Sequence, residues 1–377
     1  MNLDFTEEQE MLRTAARDFL TRECPKTLVR ELEEDEKGYS PELWRKMAEL
    51  GWMGLVLPEE YGGMGMEFMD LIILLEEMGR NILPGPFFST VVLGGLPLMA
   101  AGTEEQKGEF LPRVANGEML LTLALTEPSA RYDAAGVATT AVAQDDSFVL
   151  NGTKLFVENA HIADYIICVA RTKKGASPEE GLTLFLVDAK SPGISTTLLK
   201  TIAGDKQCEV TFKDVRVPKG NIIGKLDKGW PVVEKVLEKA TVGLCAQMVG
   251  GAQKALDMSV EYAKERIQFG RPIGSFQAIQ HYCANMVTDV DGSKYITYEA
   301  AWKLSEGMPA AMEVSMAKAW TSEAYRRVTL LGQQIHGAIG FCEDHDMPLY
   351  FKRAKGAEPT FGDADFHREM VAKQLGL

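Results

Sequence analysis

The sequence predicts an α+β protein in three parts: an N-terminal helical domain over 1–121, a small, mainly antiparallel β domain over 122–226, and a C-terminal helix bundle over 227–377. Three observations predict it. Apolar residues recur at helical spacing through the first hundred or so positions. Short runs of Ile, Val, Leu and Phe follow from about Leu120. Long helical patterns then return from Trp230 to the C-terminus.

Each element has a local reason. Thr6 with Gln9 forms a capping-box pattern, and Phe5, Leu12, Ala16, Phe19 and Leu20 follow at helical intervals. Ser40-Pro41 reads as a helix start with proline in the first turn, leading into Leu43, Met47 and Leu50. Phe68 to Met78 is an apolar segment that a helix buries in a bundle, and Pro84-Gly85-Pro86 breaks it. Ser147–Leu150 and Thr153–Val157 read as a hairpin joined by Asn151-Gly152, a pair suited to a type I′ turn. Tyr165–Ala170, Leu182–Val187 and Val210–Val217 read as further strands, and 230–266, 275–305 and 309–337 as helices.

Composition narrows the function. Against 40 Lys+Arg stand 54 Asp+Glu, a net charge of −14, which disfavours nucleic acid and anionic membrane surfaces as partners. An anionic ligand therefore needs a local cluster of donors. No apolar run is long enough to span a bilayer, and the acidic N-terminus lacks a signal-peptide pattern. The six cysteines, Cys24, Cys168, Cys208, Cys245, Cys283 and Cys342, have neither CxxC nor metal spacing. A soluble, reduced, cytoplasmic protein is expected.

Four stretches carry a resemblance when they occur together and in order: Ala124-Leu125-Thr126-Glu127-Pro128, Asn151-Gly152-Thr153-Lys154, Arg266 to Gln280 (RIQFGRPIGSFQAIQ) and Gln333 to Phe341 (QQIHGAIGF). End to end, the chain resembles the acyl-CoA dehydrogenases. The resemblance implies the same α–β–α order, an acyl-CoA substrate, FAD held between the β domain and the C-terminal helices, and a tetramer whose neighbouring subunit completes each site. It implies an electron-transferring flavoprotein as acceptor. By the same resemblance Leu125 and Thr126 meet the flavin edge, Arg266 and Phe269 reach the neighbour's FAD, and Gln277, Gln334 and Gly337 also contact the cofactor. A guanidinium suits a pyrophosphate, and glycine allows close backbone approach.

The chain departs from the family pattern in three places. Ser129-Ala130-Arg131-Tyr132-Asp133 replaces a Gly-Ala-Gly-Ser-Asp loop, putting bulky Tyr132 where phosphates approach. Glu158 replaces a threonine near flavin N5, where an ionised carboxylate opposes reduced flavin unless it is protonated or turned away. Desaturation also needs a carboxylate to take the proton α to the thioester. The usual glutamate position is Phe361, and the alternative one, on the helix before RxxFG, is Ala240. Asp363 and Glu238 are the nearby substitutes. The preferred reading is a base-lacking subunit of a heteromeric acyl-CoA dehydrogenase that helps form a shared FAD site. The alternatives are a homomeric enzyme with a displaced base such as Asp363, and a flavin-dependent monooxygenase on the same fold.

Overall fold

The computed structural model describes residues 5–377. Helix α1 (Glu7–Glu23) opens with the expected capping box, in which Gln9 N–H donates to the Thr6 hydroxyl at 3.2 Å and the Gln9 side chain accepts from Thr6 N–H at 3.2 Å. Helices α2 (Lys26–Glu34) and α3 (Pro41–Glu49) follow, α3 capped by Ser40. The apolar segment becomes α4 (Phe68–Asn81), buried along most of its length. After the Pro84-Gly85-Pro86 break the chain forms a π-helical stretch over Phe88–Gly95. Its wider turns aim Phe88 and Leu93 at two different cavities. Helices α5 (Leu96–Ala101) and α6 (Glu104–Ala115) complete this part.

The central sheet contains β1 (Leu121–Ala124), β2 (Thr140–Gln144), β3 (Ser147–Glu158), β4 (Tyr165–Arg171), β5 (Leu182–Asp188), β6 (Ile194–Leu199), β7 (Gln207–Pro218) and β8 (Ile222–Ile223). Their order is β6-β7-β3-β2-β4-β5-β8, with β1 beside β4 in parallel and most other pairs antiparallel. Its core of Phe148, Leu150, Phe185, Val210 and Phe212 is separate from the larger helical core.

One expectation is corrected here. Asn151-Gly152 is no turn: β3 runs unbroken through it, because pairing with β7 continues from Ser147 opposite Pro218 to Glu158 opposite Gln207. The register slips between Leu150 and Gly152, so the pair forms a bulge, where a Cβ on Gly152 would strike Thr139. The hairpin turn lies earlier, at Asp145-Asp146 between β2 and β3, with Asp145 in the left-handed region (φ 52°).

The C-terminal part comprises α7 (Trp230–Glu265), α8 (Gln277–Ser305), α9 (Ala311–His336), α10 (Met347–Ala357) and α11 (Ala364–Gln374). A short ribbon of Ile267–Gln268 and Arg271–Pro272 joins α7 to α8. Among the described residues no helix is long and apolar enough to cross a membrane. All six cysteines are free.

Helix α7 crosses α4 backbone to backbone. A Cβ on Gly79 would overlap the main chain of Gln247, and one on Gly250 would overlap that of Glu76. This contact sets one wall of the inner cavity described below, to which Gly79 and Gln247 contribute. Gly250→Ala therefore forces the helices apart. Its expected cost is about 1–3 kcal/mol, the usual range for overpacking, read by denaturant unfolding; equal or greater stability would contradict the crossing.

Candidate functional site

Two adjoining cavities lie where the β domain meets the helices, the smaller also against the N-terminal part. The outer one, about 330 Å³, is lined by Leu125, Thr126, Tyr132, Phe156, Leu237 and Phe361 among others. The inner one, about 140 Å³, lies against Ile82, Phe88, Gln247, Tyr325 and Arg353. Glu158, Asp205, Gln207, Gly356 and Thr360 border both, so the two adjoin and together make up the cleft. Ile82, Ala130, Phe156 and Phe361, all on its walls, have positive φ between 53° and 59°. Such backbone is costly for bulky residues and persists where packing enforces it.

Two buried cations hold the walls. On the β side, Lys154 Nζ donates to Glu127 at 2.7 Å and to the Leu125 carbonyl at 3.1 Å, tying the Leu125-Thr126 turn to β3. Burial alone would raise the Glu127 pKa, but the Lys154 charge and the Thr139 N–H bring it below the ordinary value. On the helical side, Lys318 Nζ donates to the carbonyls of Gly362 (2.8 Å), Glu358 (2.9 Å) and Ala357 (3.2 Å). His367 Nε2–H donates to the Phe361 carbonyl at 3.0 Å. Burial brings its pKa down to about 4, so this imidazole is neutral. Phe361 is thus fixed, its ring stacked on Phe88 with centroids 6.2 Å apart.

The acids of the cleft are of two kinds. Burial, reinforced by Asp205, pushes the Glu158 carboxyl up to about 8, with Arg353 opposing. Glu158 is therefore mostly protonated at neutral pH, which is one of the two arrangements that reconcile a glutamate with this position. Asp205 instead has both oxygens engaged, accepting from the Thr201 hydroxyl and from Gln207 Nε2.

Of the residues expected at the site, Leu125 and Thr126 line the cleft, with Phe361 opposite. Arg266, Phe269, Gln277, Gln334 and Gly337 do not line it. All five are exposed, Phe269 to 91%. Asp363 is also exposed and outside the cleft: its carboxylate caps α11, accepting Phe366 N–H at 2.9 Å. It lies two positions beyond Phe361, and helix initiation takes its side chain. Glu238 and Ala240 on α7 do not line the cleft either. Arg353 went unrecognised in the sequence, although its spacing from buried Leu349 and Tyr350 puts it on the inward face of α10.

The residues present fit FAD at one end only. The Thr126 hydroxyl and the Phe156 ring border the outer cavity, offering a polar edge and a flat apolar face to a planar ring system. The 129–133 loop does not offer its cation to a phosphate. Arg131 is bound at both Nε (2.9 Å) and Nη2 (2.6 Å) to Asp133, and Tyr132 turns into the cleft against Phe366.

The state of Glu158 has a measurable consequence. Its pKa is about 8 in the folded protein against 4.5 for the ordinary side chain, so the folded state holds the extra proton between these values. The stability that this proton linkage contributes is complete below the lower value and lost as pH rises through the upper one. Between about pH 5 and pH 8.5 the unfolding midpoint of the wild type should fall more than that of Glu158→Gln. Equal slopes in the two proteins would contradict a neutral Glu158.

The comparisons with known proteins agree with this architecture. Family models for the N-terminal, middle and C-terminal domains of acyl-CoA dehydrogenase match residues 6–118, 122–215 and 227–376. The chain is 36% identical over 383 residues to acryloyl-CoA reductase (NADH) of Anaerotignum propionicum, covering 100% of this chain and 96% of that protein. Butyryl-CoA dehydrogenase from Megasphaera elsdenii superposes with a TM-score of 0.92 at 31% identity, covering 100% of both chains. A chain of the ChsE4–ChsE5 complex from Mycobacterium tuberculosis superposes with a TM-score of 0.92 at 28% identity, covering 100% and 99%. The chain belongs to the acyl-CoA dehydrogenase family, oxidoreductases acting on CH–CH bonds with FAD as cofactor.

Proposed function

We propose that this chain takes part in α,β-desaturation of an acyl-CoA thioester as the base-lacking subunit of a heteromeric enzyme, helping to form a shared FAD site. The observation that carries this reading is the absence, among the described residues, of a free carboxylate on the cleft. Phe361 fills the position of the usual base, Asp363 caps a helix, Asp205 has both oxygens bonded and Glu158 holds a proton. When bound, FAD supplies the hydride acceptor. The chain's own part is to wall the cleft with Leu125, Thr126 and Phe361 and to present Arg266, Phe269, Gln277, Gln334 and Gly337 outward to a neighbouring subunit's cofactor. Their exposure supports that donation. So does the likeness to a chain from a complex of two named components.

Further parts of the proposal are a tetramer, an electron-transferring flavoprotein as acceptor and a cytoplasmic location. The division into 1–121, 122–226 and 227–377 belongs to it as well, supported by the changes of structure at Leu121 and Trp230. One observation favours a second reading, a homomeric enzyme. Glu158 is a protonated acid bordering both cavities, and a proton donor suits the reductive direction named for the acryloyl-CoA reductase relative.

The flavin-to-chain ratio separates the readings. The chain purified alone should carry little flavin and regain it on co-expression with a base-carrying subunit. In that complex Arg266→Ala should lower retained flavin while changing stability by no more than about 0.5 kcal/mol, as for an exposed residue. A full complement of flavin in the lone chain would overturn the heteromeric reading and favour the homomeric one.

A further inference from the structure

The 129–133 loop closes one side of the outer cavity. Tyr132 lines that cavity, and its ring meets Phe366 of α11 with centroids 5.3 Å apart. The contact therefore runs from the β domain to the helical wall. Burial and the nearby Asp363 carboxylate push the Tyr132 phenol above its ordinary value, so a negative charge stands on the same side.

The loop is built to hold Tyr132 there. Ala130 N–H donates to the Glu127 carbonyl at 2.8 Å, tying the start of the loop to the buried pair of Glu127 and Lys154. Arg171 takes the other end, donating from Nη2 to the Ala134 carbonyl and from Nε to the Val137 carbonyl, both at 3.1 Å. Between these anchors the loop folds back on itself: a Cβ on Gly136 would come within 2.9 Å of Arg131 Cβ. Its one cation is spent internally. The side-on fork of the Arg131 guanidinium, a shape that suits a phosphate, is bidentate on Asp133.

A planar ring system and a diphosphate make opposite demands on such a wall. The Thr126 hydroxyl and the Phe156 ring suit the first. A diphosphate needs charge-assisted donors, and burying it against an aromatic ring beside a carboxylate is costly. Ala130 and Tyr132 line the cavity soon after Thr126 in the chain, so a tail leaving the ring on this side passes both.

We propose that Tyr132, held against Phe366, is a specificity residue that shuts this chain's own cleft to a diphosphate-bearing ligand. The cleft takes a flavin ring with its ribityl side chain but discriminates against the dinucleotide. The proposal rests on the heteromeric reading and supplies a cause for the low flavin content expected of the lone chain.

The test compares dissociation constants of FAD and riboflavin, measured by equilibrium dialysis on the purified chain stripped of flavin. The wild type should bind riboflavin at least as tightly as FAD. With the ring removed, Arg131 can exchange Asp133 for a phosphate, since an exposed pair holds its partners weakly. Tyr132→Ala should therefore tighten FAD about tenfold to a hundredfold, the worth of charge-assisted hydrogen bonds. Riboflavin should stay within about threefold, as for a change away from its contacts. Phe366→Ala, which removes the support from the other wall, should move the ratio in the same direction. Tyr132→Phe, which keeps the ring, should keep the wild-type ratio. Equal rejection of FAD by the wild type and Tyr132→Ala overturns the role of Tyr132 and leaves the heteromeric reading standing. One FAD bound tightly per wild-type chain overturns both. Failure of riboflavin to bind overturns the ring site beside Thr126, and the proposal with it. A wild-type preference for FAD over riboflavin is decisive against it whether or not the variants fold.

Discussion

The ammonium of Lys154 and the carboxylate of Glu127 meet at 2.7 Å with both side chains buried, and much of the cleft depends on that contact. Lys154 lies in β3, while Glu127 lies in the turn after β1 and also accepts N–H groups of Ala138 and Thr139, each at 2.9 Å. One ion pair therefore joins β3, the Leu125-Thr126 turn and the entry to β2. Withdrawing two charges from water is costly unless each is paired and hydrogen-bonded, as these are. Removing either partner would leave the other charge stranded in the β domain. The direction in which β3 delivers Phe156 and Glu158 to the cleft follows from the same anchor.

Lys318 plays the matching part on the helical wall. It lies on α9, but its bonds go to the carbonyls that end α10 and precede α11, where backbone acceptors would otherwise be buried unpaired. With His367 on the Phe361 carbonyl, this fixes a loop that contains a phenylalanine at φ 59°. The cleft is thus shaped in advance by two cations bonded to the protein itself. Its chemistry is set separately, by which acids remain available. Asp363 illustrates the separation: it lies two residues from the expected base, yet capping α11 directs its carboxylate to the helix N-terminus.

Secondary structure was legible in the sequence wherever one periodicity ran long enough to dominate. The expected helices at 230–266, 275–305 and 309–337 correspond to α7, α8 and α9 within two residues at each end. The Asn151-Gly152 turn failed because a local preference competed with twelve residues of strand whose far edge pairs with β7, a partner about sixty residues away. At the site, Leu125 and Thr126 were legible through their motif. The charge state of Glu158 was not, since it depends on burial and on Asp205, a neighbour distant in sequence. Arg353 was hidden for a related reason. A helical arginine normally reaches water, and only the packing of α10 shows that this fork does not.

The neutrality of Glu158 and the vacant fork of Arg353 are two sides of one balance. Had Glu158 ionised, it would have offered Arg353 a counter-charge across the inner cavity. Burial and Asp205 outweigh the attraction of the guanidinium, so the proton stays and the positive charge is left uncompensated.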